Sequence, residues 1–203
     1  ETPGSAPLKP FTDVDELIGR TGDILQRVDP TLGGYYADMR AAGLLDLDNR
    51  KNKSPGGFCT DFSYSARPFI FMNAVGQHDD VQTLLHESGH AFHVYETAGL
   101  AYFQQQDITM EIAEVASMSM ELLAAPYLAR EHGGFYSPHD AARARIEHLE
   151  SMLFFWPFMA VVDGFQHWAY SHPQEATEPA ACDAAWTGLW QRFIPDIDYS
   201  GLE

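Results

Sequence analysis

The stretch from about residue 80 to 97 must satisfy two demands at once, and few folds meet both. Val81, Leu84, Leu85, Phe92 and Tyr95 recur at helical spacing and form an apolar stripe that has to be buried. On the same helix His86 and His90, four residues apart, project one above the other, with Glu87 beside them. Asp79 or Asp80 can cap the helix start. Gly89 inside the helix costs about 1 kcal/mol relative to Ala. Something close by needs the missing side chain, such as a second helix or a bound molecule.

The surrounding pattern is helical. Thr12 reads as a cap, with Asp15 three positions on. Val14, Leu17, Ile18, Ile24, Leu25 and Val28 then follow at helical spacing up to Pro30. A short helix is predicted from about 32 to 42, stopping at Gly43. Residues 50–57 form a loop carrying Arg50, Lys51 and Lys53, a basic patch that either faces a ligand or is simply solvated. Residues 58–63 and 67–73 are the strand candidates, the second with the apolar run Phe69-Ile70-Phe71-Met72. After Gly76, helices are expected at about 80–97, 108–125, 140–154, 158–170 and 179–193, punctuated by Pro126, Gly133-Gly134, Pro157 and Pro173. The fold class is therefore mostly α with a small β-sheet, in one segment from 1 to 203 without a linker.

Composition narrows the partners. Asp and Glu total 29 against 12 Lys and Arg, a net charge of −17. That charge argues against nucleic acid and against anionic membranes. The 45% hydrophobic content supports a real core. The apolar run from Met152 to Val162 is too short to span a bilayer and, with Pro157 inside it, reads as a buried helix pair. Cys59 and Cys182 form no disulfide framework, which fits a reducing, cytoplasmic setting, and no signal peptide is visible. Cys59, Trp156, Trp168, Trp186 and Trp190 are read as core.

The chemistry centres on His86-Glu87-Ser88-Gly89-His90. Two imidazoles at i and i+4 can meet one tetrahedral zinc ion, and the intervening Glu stands where it can take a proton from water. A third protein ligand is needed. His93 lies on the same side, but about 10 Å of helix rise separates it from His86. It is therefore assigned to a supporting, substrate-facing or packing role. A metzincin pattern calls for Gly at 93 and His at 96, where this chain has His93 and Glu96. The next helix offers Glu111, Glu114 and Glu121 on one stripe of an otherwise apolar, buried-looking run. Buried carboxylates need a cation or hydrogen bonds, and a metal on the preceding helix supplies one; a solvated acidic face is the plainer alternative.

With Ala113-Glu114-Val115-Ala116-Ser117 and Glu121 following His86 to His93, the chain resembles the oligoendopeptidase F branch of the thimet oligopeptidase-like zinc peptidases. Gly56-Gly57-Phe58-Cys59-Thr60, the run from Arg67 to Leu85, and Val162 to Trp168 extend the resemblance across nearly the whole chain from about Phe11. It implies one zinc ion per chain on His86, His90 and Glu114, with Glu87 as base and Glu121 orienting a ligand. It implies a zincin-like catalytic core of a larger helical peptidase that cuts internal bonds of oligopeptides, with Gly56, Gly57 and Phe58 binding substrate through their backbone. It also implies that these residues are a fragment whose partner is the remainder of its own polypeptide, with a His and Tyr pair for the oxyanion lying beyond Glu203. A fragment lacking that pair would show little activity alone. His167 and Tyr170 are read as structural. A zinc-binding fragment without catalysis, a related helical zincin carboxypeptidase and a helical interaction protein are the alternative readings.

Overall fold

The computed structural model describes residues 6–195. Helix α1 (Val14–Val28) begins at Asp13, whose side chain accepts from the Glu16 amide. The cap is thus one residue later than the Thr12 expected, and Glu16 reaches back to the Thr12 amide at 3.2 Å. A carboxylate satisfies the free amides of a first turn better than a hydroxyl, because it brings charge as well. Asp29 caps α2 (Pro30–Ala41), and Pro30 occupies a first-turn position where its missing N–H costs nothing.

Three strands follow: β1 (Leu45–Asp48), β2 (Phe58–Phe62) and β3 (Arg67–Ala74). The order is β1-β3-β2, with β3 parallel to β1 and antiparallel to β2. Strand β1 was not expected, since four residues with two aspartates carry little strand propensity. It is held from outside by Lys53. The lysine side chain is 2% exposed, and its ammonium donates to the carbonyls of Asp46, Asp48 and Met72. The basic patch of the loop is therefore structural at Lys53, while Arg50 pairs with Asp46. The alternating burial of β3 sends Pro68, Ile70, Met72 and Ala74 inward.

Helix α3 (His78–Thr97) packs beneath β2 and β3. Asp80, at its third position, accepts from the amides of Val75 and Gln77, so it secures the turn that leads into the helix. Val81, Leu84 and Leu85 are fully buried and Phe92 nearly so, as the stripe requires. They join Leu17, Ile24, Tyr36, Met39 and Ile70 in one core. Helix α4 (Met110–Ala124) crosses α3 at Gly89: a Cβ there would stand 2.5 Å from Ser117 Cα and 2.6 Å from the Ala116 carbonyl oxygen. The expected close neighbour of Gly89 is thus the backbone of α4. That helix is less buried than its composition suggests, for Ile112, Val115 and Leu123 are more than half exposed.

The chain divides between Arg145 and Ile146 into two compact units. In place of the expected pair of helices, α5 (Pro138–Ser171) runs unbroken through Pro157, and α6 (Pro179–Phe193) follows. Proline inside a helix frees the carbonyl four residues earlier. Here that residue is Leu153, which is 74% exposed, so water can satisfy the group. Leu153, Phe154 and Trp156 are all strongly exposed, so neither a buried run nor a core role for Trp156 is found. The second unit packs instead through Val161, through Gly164 against Leu189, and through the rings of Phe165, Trp168, Trp186 and Trp190. Among the described residues no helix is long and apolar enough to cross a membrane.

Two outcomes test this architecture. Gly89→Ala drives a methyl into backbone that cannot turn aside, and should destabilise by about 1–3 kcal/mol. Gly19→Ala, with open space around it, should be neutral or mildly stabilising; equal urea midpoints for the two variants would refute the tight crossing. Hydrogen bonding from Arg50 holds the Asp46 carboxyl down at about 2, below its usual value near 3.9. A carboxyl lowered by folding adds stability above roughly pH 4 that is lost as pH falls towards 2. Unfolding measured at pH 4.5 and 2.5 should therefore show a smaller loss for Asp46→Asn than for the parent chain.

Candidate metal centre

Three elements converge on one point. Helix α3 supplies His86, Glu87 and His90, α4 supplies Glu114 and Glu121, and β2 supplies backbone. The helix crossing at Gly89 lies between the two histidines in sequence, which is why the carboxylates of α4 reach them. His86 Nε2 lies 3.2 Å from Glu114 Oε2, and His90 Nε2 lies 3.7 Å from Glu114 Oε1. The two imidazoles stand edge to face with centroids 5.0 Å apart.

Among the described residues, His86, His90 and Glu114 form the group able to hold a metal ion, with one ligand atom from each lying within 4.8 Å of the others. A tetrahedral zinc ion with bonds of 2.0–2.1 Å sets its ligands about 3.3 Å apart. The observed separations need only small side-chain adjustments to reach that. Two imidazoles and one carboxylate, leaving a fourth position open, are also the donor set of catalytic rather than structural zinc sites. The residues therefore fit the ion.

The neighbouring groups set the electrostatics. Glu121 Oε1 sits 2.7 Å from His86 Nδ1, which leaves Nε2 directed to the cluster. That hydrogen bond is the largest cause of a raised His86 pKa, while burial lowers that of His90. Glu87 is 8% exposed. Burial pushes its carboxyl above the usual range, opposed by the charge on His86 and by a hydrogen bond from the Cys59 amide. Burial, reinforced by the Glu87 charge, drives the Cys59 thiol up to about 12, so it stays protonated.

The Cys59 contact was absent from the motif reading because it comes from backbone. The register explains it. Asp61 faces Pro68, which has no N–H to give, and Cys59 faces Ile70 two residues earlier. Polar groups alternate sides along an antiparallel strand, so those of Cys59 and Asp61 turn away from β3, and one of them meets Glu87.

The other expected residues are distributed unevenly. Glu111 lies exposed in the first turn of α4, with its carboxyl engaged by its own amide and Thr109, outside the cluster. His93 is half-buried, also outside the cluster, and its Nδ1 is buried without a hydrogen-bond partner among the described residues. Gly56 has φ +103°, and Gly57 passes close to Thr83 of α3. Phe58 is 47% exposed and stacks on Phe71. His167 pairs loosely with Asp163 at 3.8 Å, and Tyr170 is 85% exposed.

The fold and the donor set describe a mostly helical protein with a two-helix His-His-Glu cluster able to hold a metal ion, and comparison with known proteins supplies its family. The profile of peptidase family M3 matches residues 36–200. The chain belongs to that family, whose members are generally metallopeptidases. It is 33% identical over 101 residues to the oligopeptidase PepF of Bacillus subtilis, covering 48% of this chain and 15% of that one. It is 25% identical over 198 residues to an oligoendopeptidase F homolog of Borreliella burgdorferi, covering 95% of this chain and 32% of that one. The solved structure of PZ peptidase A with inhibitor 2 is 33% identical with a TM-score of 0.84, covering 96% of this chain and 33% of that one. The expected kinship with oligoendopeptidase F is met, and the chain spans about a third of the length of that solved relative.

The choice of third ligand has a direct test. Glu114→Ala should abolish tight zinc binding in a chelator competition, whereas Glu111→Ala should bind as the parent does. The reverse pattern would reassign the ligand.

Proposed function

We propose that these residues form the catalytic core of a zinc endopeptidase acting on oligopeptides, with one zinc ion held by His86, His90 and Glu114. The observation that carries this reading is the convergence of three metal-ligand atoms within 4.8 Å beside a buried glutamate that is not one of them. When bound, zinc supplies a Lewis acid that lowers the pKa of water and polarises the scissile carbonyl.

The chain's own residues do the rest. Glu87 accepts the proton of the attacking water and returns it to the leaving amine. Its raised pKa suits both steps, since a carboxylate near the usual value would be a poorer proton acceptor at neutral pH. The Cys59 amide fixes one side of that carboxylate. Glu121 fixes the His86 ring through Nδ1 and increases its basicity at Nε2. Strand β2 offers the Cys59 carbonyl and the backbone groups of Asp61 along its free edge, where an extended peptide can add as a further strand. Gly56 and Gly57 lead into that edge, and Phe58 lies open beside it. His93, three residues past His90 on α3, is assigned a supporting role.

Peptide turnover is proposed for these residues within the longer chain that the relatives possess; by themselves they are expected to bind zinc and turn over little peptide. A cytoplasmic setting belongs to the same reading and is supported by two free cysteines, Cys59 and Cys182.

The test is Glu87→Gln in the longer enzyme. Zinc content should stay at one per chain, while hydrolysis of a quenched-fluorescent peptide falls by about 10²–10⁴-fold. Near-normal turnover in the zinc-loaded variant would sink the mechanism.

A further inference from the structure

One buried hydroxyl at the helix crossing has no role in the scheme above. Ser117 is fully buried, and its Cα is the atom on which a side chain at Gly89 would collide. Its Oγ lies 2.9 Å from Glu114 Oε2 and 3.1 Å from the Glu114 carbonyl oxygen. Serine in mid-helix commonly bonds back to a carbonyl of the preceding turn. Here the shorter contact goes to the carboxylate, and a hydrogen bond to a charged acceptor is the stronger of the two.

We infer that Ser117 is a positioning residue for the third metal ligand, its hydroxyl holding the Glu114 carboxylate in the orientation that meets His86 and His90. The inference rests on the zinc reading above. The Glu114 side chain is 38% exposed, so burial alone does not fix it, and a long flexible side chain must give up rotamer freedom to bind an ion. The hydroxyl removes part of that freedom beforehand. It also acts on Oε2, the oxygen 3.2 Å from His86 Nε2, so the same bond directs the carboxylate towards the imidazole. Ser117 itself cannot drift, because its backbone is clamped against Gly89 of the helix that carries both histidines. One contact point therefore sets the spacing of the helices and the aim of the ligand together.

The experiment is a zinc titration against a chromophoric chelator on the whole chain, for the parent, Ser117→Ala, Glu114→Ala and the double variant, with unfolding of the metal-free proteins measured alongside. Ser117→Ala should weaken zinc binding by about 10–100-fold, as loss of outer partners of metal ligands does. In the Glu114→Ala background the same change should weaken residual binding by less than about twofold, because the hydroxyl acts through Glu114. A structural role for Ser117 would instead lower affinity equally in both backgrounds, and that result overturns the inference. So does an unchanged affinity in Ser117→Ala. Ser117→Cys keeps the shape of the side chain, is somewhat larger and offers only a weak donor; it should reproduce the loss, and it decides the matter if Ser117→Ala does not fold. A parent chain that binds no stoichiometric zinc would instead refute the zinc reading, and the inference with it.

Discussion

The contact between α3 and α4 at Gly89 and Ser117 is the constraint on which the rest of the site depends. Two helices approach as closely as their backbones permit only where neither carries a side chain in the way. Gly89 meets that requirement in the turn between the two histidines, immediately before His90. Its placement fixes which face of α4 meets them, and from that face Glu114 reaches Nε2 of both rings while Glu121 reaches Nδ1 of His86. A glycine that weakens its own helix is thus kept where the loss is offset by the packing of a neighbour. A methyl added at 89 would displace both carboxylates at once, whatever its effect on the helix.

Electrostatics make the arrangement demanding. Glu87, Glu114 and Glu121 gather around two imidazoles in a chain that already carries 17 excess negative charges. Burying like charges together is unfavourable unless something opposes them. Part of the opposition is visible: the Cys59 amide on Glu87, the Ser117 hydroxyl on Glu114, and His86 on Glu121. Each carboxylate has its own donor, from β2 for Glu87, from α4 itself for Glu114 and from α3 for Glu121, so the cluster is organised before any ion arrives. A divalent cation would complete the balance, which is why the same residues read naturally as a metal centre.

Much of this was legible in the sequence, for physical reasons that also mark where legibility ended. The α3 stripe and the spacing of His86 and His90 are properties of one helix, and helical periodicity is the clearest pattern a chain carries. Glu114 could be separated from Glu111 only by resemblance, because both lie on one stripe and only the crossing point chooses between them. Strand β1 was missed because its order comes from Lys53 at a distance rather than from its own four residues. Pro157 was read as a break, yet the helix continues because the freed carbonyl sits on an exposed turn. Thr12 was preferred to Asp13 as a cap by pattern alone, and the stronger acceptor one residue later prevailed.

What no motif could supply is the part of the site made of backbone. The amide on Glu87 belongs to Cys59, but its direction is set by pairing register, and the register shows in the position of Pro68 across from Asp61. A residue that lacks an N–H can sit in an inner strand without loss only where that group would find no partner strand acceptor. Pro68 satisfies this because its nitrogen faces the β1 side, where pairing begins only at Ile70, whose amide donates to the Leu44 carbonyl. The consequence reaches the proposed substrate edge: the side chains of residues 58–62 can change widely while the edge keeps its hydrogen-bonding groups, but a one-residue slip would turn the Cys59 amide inward and leave Glu87 without it. The identity of the proposed base is therefore written in α3, whereas its support is written in the alignment of two strands, where a reading of residue types alone does not look.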